Sequence, residues 1–244
     1  MSVEAKQPSL ENQVARETTG LLLLGGFDLT SEDGRIALSS GAQRVLAFLA
    51  LQDRPLARSY VAGTIWEGTT DKRASGSLRS ALWNLRLSGH DLVDAAHGCL
   101  QLGTGLVVDY RRAVDMARAV YDRSCPCPAE VLERRYFHDD LLRDWYDDWV
   151  LIERERFRQF RLHVLESLCE RLTEEQRYAH AVDAGITAVI GEPLRESAQR
   201  VLIQAYLAEG NRREAIRQYE SYAVLLREEL DVPPSARLQQ MVTA

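Results

Sequence analysis

Lys72-Arg73-Ala74-Ser75-Gly76-Ser77-Leu78-Arg79-Ser80-Ala81-Leu82-Trp83-Asn84-Leu85-Arg86-Leu87 is the stretch whose periodicity decides the fold of the amino-terminal half. Leu78, Ala81, Leu82 and Leu85 recur at i, i+3, i+4 and i+7, the spacing of one apolar helix face. The other face carries Ser75, Arg79, Trp83 and Arg86, flanked by Ser80 and Asn84. A helix anchored on one side and rich in donors on the other can read DNA. Arginine pairs bidentately with guanine and asparagine with adenine. Lys72 and Arg73 sit where free backbone N–H groups at a helix start would help neutralise phosphates. Trp83 has two readings, cover for the apolar rim or a stack on the sugar-phosphate backbone, and packing is preferred. The same residues could also be an ordinary solvated helix face, so the flanking sequence must decide.

Working backwards, Glu67-Gly68-Thr69-Thr70-Asp71 reads as a short turn. Before it, Val61, Ile65 and Trp66 give a helix from about Ser59 to Trp66. Val45, Leu46 and Leu49 predict another, capped by Ser39 or Ser40 and ending near Asp53–Arg54, because Pro55 disfavours helix at the residue before it. Leu21–Leu24, Phe27 and Leu29 read as strand, Glu32-Asp33-Gly34 as a hairpin turn, and Arg35–Leu38 as the return strand.

Working forwards, Ser88-Gly89 stops the third helix. Leu92-Val93, a turn at Ala95-Ala96-His97-Gly98, and Cys99–Leu102 predict a second hairpin, with His97 at its tip. His97 could approach a minor groove, although a lone turn histidine is usually just solvated. Three helices followed by a hairpin is the order of a winged helix-turn-helix.

From Asp109 onward the pattern is helical, broken at Ser124-Cys125-Pro126-Cys127-Pro128. Leu168 and Leu202, Leu172 and Tyr206, Ala181 and Ala215, and Ala188 and Tyr222 are each 34 residues apart, the tetratricopeptide period. Gly185 occupies a position where that repeat usually has a bulky residue, and Pro233-Pro234 comes a few residues late. The fold class expected is therefore an α+β winged helix-turn-helix domain followed by an all-α, TPR-like helical domain. The expected divisions are a disordered leader at 1–20, the winged helix at 21–108 and the helical domain at 109–244.

Composition agrees with a soluble chain: 45% apolar, 27% charged, formal net charge −6. That acidity is unevenly spread. From Lys72 to His90 there are four basic residues and no acid, whereas Asp109 to the end holds 20 basic and 25 acidic. The start, MSVEAKQPSLENQVARETTG, lacks the apolar core of a signal peptide, and no apolar run is long enough to span a bilayer. A cytoplasmic protein without a membrane partner is expected. Cys-Pro-Cys at 125–127 has no second ligand pair, so no metal is expected. His138, Asp139, Asp140, Asp144, Asp147 and Asp148 could suggest metal or acid–base chemistry. Leu142, Trp145, Trp149 and Ile152 fall at helical spacing between them, which predicts a core-facing stripe with solvated acids. No Gly-x-Ser-x-Gly, His-Glu-x-x-His, Gly-x-Gly-x-x-Gly or Walker motif occurs, and neither an enzyme nor a cofactor is expected.

The run GAQRVLAFLALQDRPLARSYVAGTIWEGTTDKRASGSLRSALWNLR (41–86) resembles the DNA-binding domain of the Streptomyces antibiotic regulatory protein family. LLLLGGFDLTSEDGRIAL (21–38) is similar to that family's first hairpin, and GCLQL (98–102) to its wing strand, with Cys99 in place of an aromatic residue. Residues 109–242, including ELDVPPSARL (229–238), resemble the bacterial transcriptional activation domain that follows. The resemblance implies an OmpR-type winged helix, the type found in two-component response regulators, joined to a TPR-like domain. It implies activation of secondary-metabolite (antibiotic) gene clusters from direct repeats bound by side-by-side protomers. It further implies double-stranded DNA and RNA polymerase holoenzyme as partners, with Glu67, Gly68, Thr69, Thr70 and Asp71 as the polymerase-contact turn. Asn84 departs from the Arg or Lys of many relatives.

Two other readings stay open. The helical half could be a protein-interaction scaffold beside a winged helix that has lost DNA affinity, since residues 21–108 hold eight basic and eight acidic residues. Alternatively, a helical groove could sense a pathway metabolite.

Overall fold

The structure is a computed structural model that describes residues 19–133 and 136–243. It divides into two compact units, one of residues 27–109 with the chain up to Leu23, the other Leu24–Gly26 with Tyr110–Ala244.

The first unit begins with β1 (Thr19–Leu22), β2 (Asp28–Ser31) and β3 (Gly34–Arg35). Three helices follow, α1 (Ser40–Ala50), α2 (Arg58–Ile65) and α3 (Asp71–Leu87), with the two-residue β4 (Leu56–Ala57) between the first two. The unit closes with β5 (Val93–Ala96), β6 (Cys99–Leu102) and β7 (Leu106–Val108). One sheet has the order β3-β2-β1-β7, antiparallel except for the parallel β1–β7 pair. The other has the order β4-β6-β5. Of the leader expected at 1–20, residues 1–18 lie outside the described residues. Thr19 and Gly20 are strand, with Thr19 buried and Gly20 paired to Thr30 and Val107.

Ser39 caps α1, its hydroxyl accepting from the Ala42 N–H at 3.4 Å. The helix buries Ala42 and every residue from Val45 to Ala50 against α2 and α3, forming the centre of the unit. It ends at Leu51, earlier than Pro55 alone requires, because the chain must turn to place β4 beside β6. The return strand is shorter than expected: β3 stops at Arg35, and Ile36 adds one more bond to Leu29. Nor does Ser59 cap α2. The helix starts one residue earlier, and the Arg58 N–H donates to the carbonyl of Gly98 at 3.1 Å.

The second unit contains α4 (Asp109–Tyr121), α5 (Ala129–Glu133), α6 (Asp148–Glu174), α7 (Tyr178–Gly191), α8 (Glu196–Glu209), α9 (Arg212–Leu230) and α10 (Ala236–Thr243). Its compact unit begins one residue into α4, at Tyr110. Consecutive helices from α6 to α10 pack on one another, and α6 also meets α8. The 34-residue spacing maps the last part of α6 onto α8, and α7 onto α9. Leu168 and Leu202 are both buried, as are Ala181 and Ala215, and Ala188 and Tyr222. Gly185 departs from the repeat for a steric reason. A Cβ there would lie 3.1 Å from two atoms of Leu202 and 3.2 Å from the Cys169 sulfur. The late prolines also have a physical reason: α9 has 19 residues against 14 in α7.

The stripe from Leu142 to Ile152 is not one helix. Leu142 is fully buried with a left-handed φ of 45°, Ile152 is exposed, and the helix starts only at Asp148. Arg154 holds the preceding loop by donating to the carbonyls of Leu141, Leu142 and Trp145. Nor are all the nearby acids free in solvent, since Asp140 pairs with the buried Arg161 at 2.7 Å. No helix among the described residues is long and apolar enough to cross a membrane.

Candidate nucleic-acid interface

Thr70 and Asp71, expected in a turn, begin α3. Thr70 is the N-cap, its hydroxyl accepting from the Arg73 N–H at 3.4 Å, and Asp71 is the first helical residue, where a carboxylate suits the helix dipole. Glu67, Gly68 and Thr69 remain an exposed turn, with Gly68 at φ 77° and the Thr69 hydroxyl donating to the Trp66 carbonyl at 2.9 Å. The buried stripe of α3 is Ala74, Leu78, Ala81 and Leu85. Leu82, expected within it, is half-buried because it borders the opposite face.

That face carries Arg79 and Arg86, both exposed, and Trp83 at 62% exposure. The preferred reading of Trp83 as packing is therefore corrected: its ring stands in solvent. Lys72, Arg73 and Ser80 are exposed as well, and Ser75 is half-buried. The Ser80 hydroxyl donates back to the Gly76 carbonyl at 3.3 Å, which leaves its lone pairs free. Asn84 has an internal task. Its side-chain oxygen accepts from the Ser39 N–H at 2.9 Å, tying α3 to the cap of α1. Only the amide N–H₂ remains to face outward.

The hairpin turn is tighter than expected. β5 runs to Ala96, and His97 and Gly98 alone form the turn, at φ 51° and 78°. Positive φ at both central residues matches the right-handed twist of the strands. His97 is exposed at this tip.

Between α3 and the hairpin lies a cleft of about 410 Å³, open to solvent. Arg79, Trp83 and Arg86 line it from α3, Asp94 from β5, and Arg58 from the start of α2. Arg58 was not picked out in the sequence. It is a lone cation at the first position of a short helix, and no local pattern marks it. β4 pairs with β6, and the Arg58 backbone bonds to Gly98, so α2 and the hairpin are hydrogen-bonded into one frame.

These cations are free of ion pairs among the described residues, as are Arg112, Arg213, Arg227 and Arg237 of the second unit. Arg58, Lys72, Arg73, Arg79 and Arg86 make no ion pair among the described residues, whereas Arg158, Arg161, Arg171, Arg195 and Arg200 of the second unit all do. Unpaired guanidinium groups beside an exposed indole can bind phosphate, base edges and sugar faces.

Comparison with known proteins finds several likenesses. Residues 129–244 match the bacterial transcriptional activator domain. The regulatory protein AfsR of Streptomyces coelicolor is 25% identical over 235 residues, 90% of this chain and 23% of that protein. AfsR of Streptomyces griseus is 26% identical over 223 residues, 85% of this chain and 23% of that protein. The carboxy-terminal part of the chain thus matches a bacterial transcriptional activator domain, and most of the chain is similar to the AfsR regulators. The chain spans about a quarter of the length of these relatives. EmbR of Mycobacterium tuberculosis, solved in complex with a low-affinity phosphopeptide, has the same fold. It superposes with a TM-score of 0.72 at 20% identity over 93% of this chain and 64% of that one.

Proposed function

We propose that this protein is a cytoplasmic, sequence-specific DNA-binding transcriptional activator. On this reading the first unit grips double-stranded promoter DNA. α3 enters the major groove with Arg79 and Arg86 toward base edges, Lys72 and Arg73 hold phosphates, and His97 approaches the minor groove from the hairpin tip. Ser75, Ser80, Trp83 and the Asn84 amide complete the contact surface. The observation that carries the reading is the set of unpaired cations on the exposed face of an otherwise well-anchored helix.

The resemblance to the Streptomyces antibiotic regulatory protein family motivates the finer parts of the proposal. Protomers would bind side by side on direct repeats near the promoter of a secondary-metabolite gene cluster. The Glu67–Thr69 turn, with Thr70 and Asp71 at the start of α3, would contact RNA polymerase holoenzyme, and the helical unit would handle further protein contacts.

The test is a salt titration of binding to promoter fragments from the gene's own neighbourhood. The logarithm of affinity should fall linearly with the logarithm of salt, with a slope near −0.9 per phosphate neutralised. Arg79→Ala should cost about 1–3 kcal/mol on the cognate site and relax base preference. Lys72→Ala should weaken all sequences alike and lower the slope by about one. Equal loss on cognate and random duplex in Arg79→Ala would reduce Arg79 to a phosphate contact. No selective complex on any fragment would overturn the proposal.

A further inference from the structure

The cleft beside α3 is not uniformly cationic. Arg79 and Arg86 line it from the recognition helix and Arg58 from α2, but Asp91 and Asp94 line it from the hairpin side. Both aspartates are exposed, and neither forms an ion pair with these arginines or any other cation among the described residues. From Asp91 to Gly98 the hairpin limb contains no Lys or Arg. It is held to the frame that carries Arg58 by the β4–β6–β5 sheet and by the bond from Arg58 to Gly98. A polyanion entering the cleft therefore meets attraction from one set of elements and repulsion from another, and the two are fixed together.

We propose that Asp91 and Asp94 are specificity-determining residues that lower affinity for non-cognate DNA. The inference rests on the DNA-binding reading above. Non-specific binding is almost wholly phosphate electrostatics, and in that mode the backbone samples many positions relative to the protein. The carboxylates raise the energy of every position that brings a phosphate near β5. In the cognate complex, base contacts from Arg79 and Arg86 hold the duplex in one register, with its phosphates against Arg58, Lys72 and Arg73 and away from the aspartates. The repulsion then acts mainly on the competing states, so it increases the ratio of specific to non-specific binding. A unit with eight acidic and eight basic residues over 21–108 has little non-specific attraction to begin with, and two carboxylates at the contact surface weigh heavily against it.

The experiment measures binding of the whole chain to the selected promoter duplex and to a random duplex of equal length. Wild type is compared with Asp94→Asn, Asp91→Asn/Asp94→Asn and Arg58→Gln at fixed low salt. Asp94→Asn should tighten the random complex about two- to fivefold, with a larger gain in the double variant, because a unit charge near a phosphate contributes that order in water. The cognate complex should change less, so the specificity ratio falls. Arg58→Gln should weaken both complexes and lower the salt slope by about one. Equal tightening of both complexes, or no change in either, would overturn the inference while leaving the DNA reading in place. A wild-type chain that binds neither duplex would overturn the DNA reading, and the inference with it. Asp to Asn at exposed positions preserves shape, and matching circular dichroism spectra exclude misfolding as the cause.

Discussion

Removing Arg171 should destabilise the second unit more than most single changes in the chain. The side chain lies within α6, yet only 2% of it is exposed. Its guanidinium donates to the carbonyls of Ala119, Val120 and Asp122 at 2.6, 3.0 and 2.9 Å, and also to that of Cys125. Its Nε completes the set with Glu175 at 2.9 Å. The first acceptors are the last carbonyls of α4 and the turn after it, which no intrahelical N–H can reach. One arginine therefore closes the end of α4 and fixes the Cys-Pro-Cys loop in place. Hydrogen bonds to a charged group contribute about 1.5–3 kcal/mol each but are far from additive. Breaking a buried ion pair costs about 3–5 kcal/mol. Glu175 is 22% exposed and can regain water, which places Arg171→Met near the lower end, about 3–4 kcal/mol.

Urea unfolding followed by circular dichroism measures this directly. With a slope of about 2 kcal/mol/M, the midpoint should fall by roughly 1.5–2 M. Arg171→Met/Glu175→Gln should recover only the part due to the orphaned carboxylate, because the α4 carbonyls stay unpaired. The pair also has a pH signature. Burial alone would raise the Glu175 carboxyl, but hydrogen bonds from Arg171 and the Cys127 N–H hold it below its ordinary 4.5. A depressed carboxylate adds stability that is present above the unfolded value and lost as pH falls through the folded one. Wild type should thus lose this contribution on acidification below about pH 4.5, and the Met variant should lose less. A midpoint shift under about 0.5 M in Arg171→Met would refute the reasoning, since it would mean that the carbonyls find other partners.

Two further outcomes follow from packing. Gly185→Leu, which puts in the bulky residue usual for the repeat, should cost about 3 kcal/mol or more by thermal melting, and Leu202→Ala in the same chain should restore part of it; a neutral Gly185→Leu would show that α7 and α8 can separate freely. Burial first, then the neighbouring Glu170, pushes the Cys169 thiol up to about 12, whereas Cys125 is exposed. A thiol reagent at pH 8 should therefore label Cys125 in the folded protein and Cys169 only after unfolding, as peptide mapping would reveal; early labelling of Cys169 would contradict its burial.

The parts legible in the sequence are those whose signal is local. The stripe around Leu78, Ala81 and Leu85 and the alternation in Cys99–Leu102 each carry their period within a few residues. β4 has only Leu56 and Ala57, too few for any period, and its partner β6 is more than forty positions away. β7 is strand because Gly20 and Leu21 lie beside it, a pairing that no local pattern announces. Trp145 and Trp149 sit at helical spacing, yet Leu142 occupies left-handed backbone because three carbonyls in its loop converge on Arg154. The same limit applied to the candidate site. Arg79 and Arg86 stand out against an apolar stripe, whereas Arg58 has none beside it, and Asn84 could not show that its oxygen is used by Ser39.

Arginine serves two purposes in this chain, and counting charges cannot separate them. In the second unit Arg158 bonds Glu155 and Glu192, Arg195 bonds Glu166, and Arg200 bonds Glu170. Most of these pairs are half-buried. Each such pair also cancels its own cation at short range, so a phosphate approaching it meets a dipole rather than free charge. The unpaired cations of α2 and α3 keep their full field. A chain with a net charge of −6 can thus still present a local cationic surface to a polyanion. On the DNA-binding reading, pairing in the helical unit and the aspartates in the cleft act in the same direction. Each removes affinity that would not depend on base sequence, and what remains is weighted toward the contacts that do.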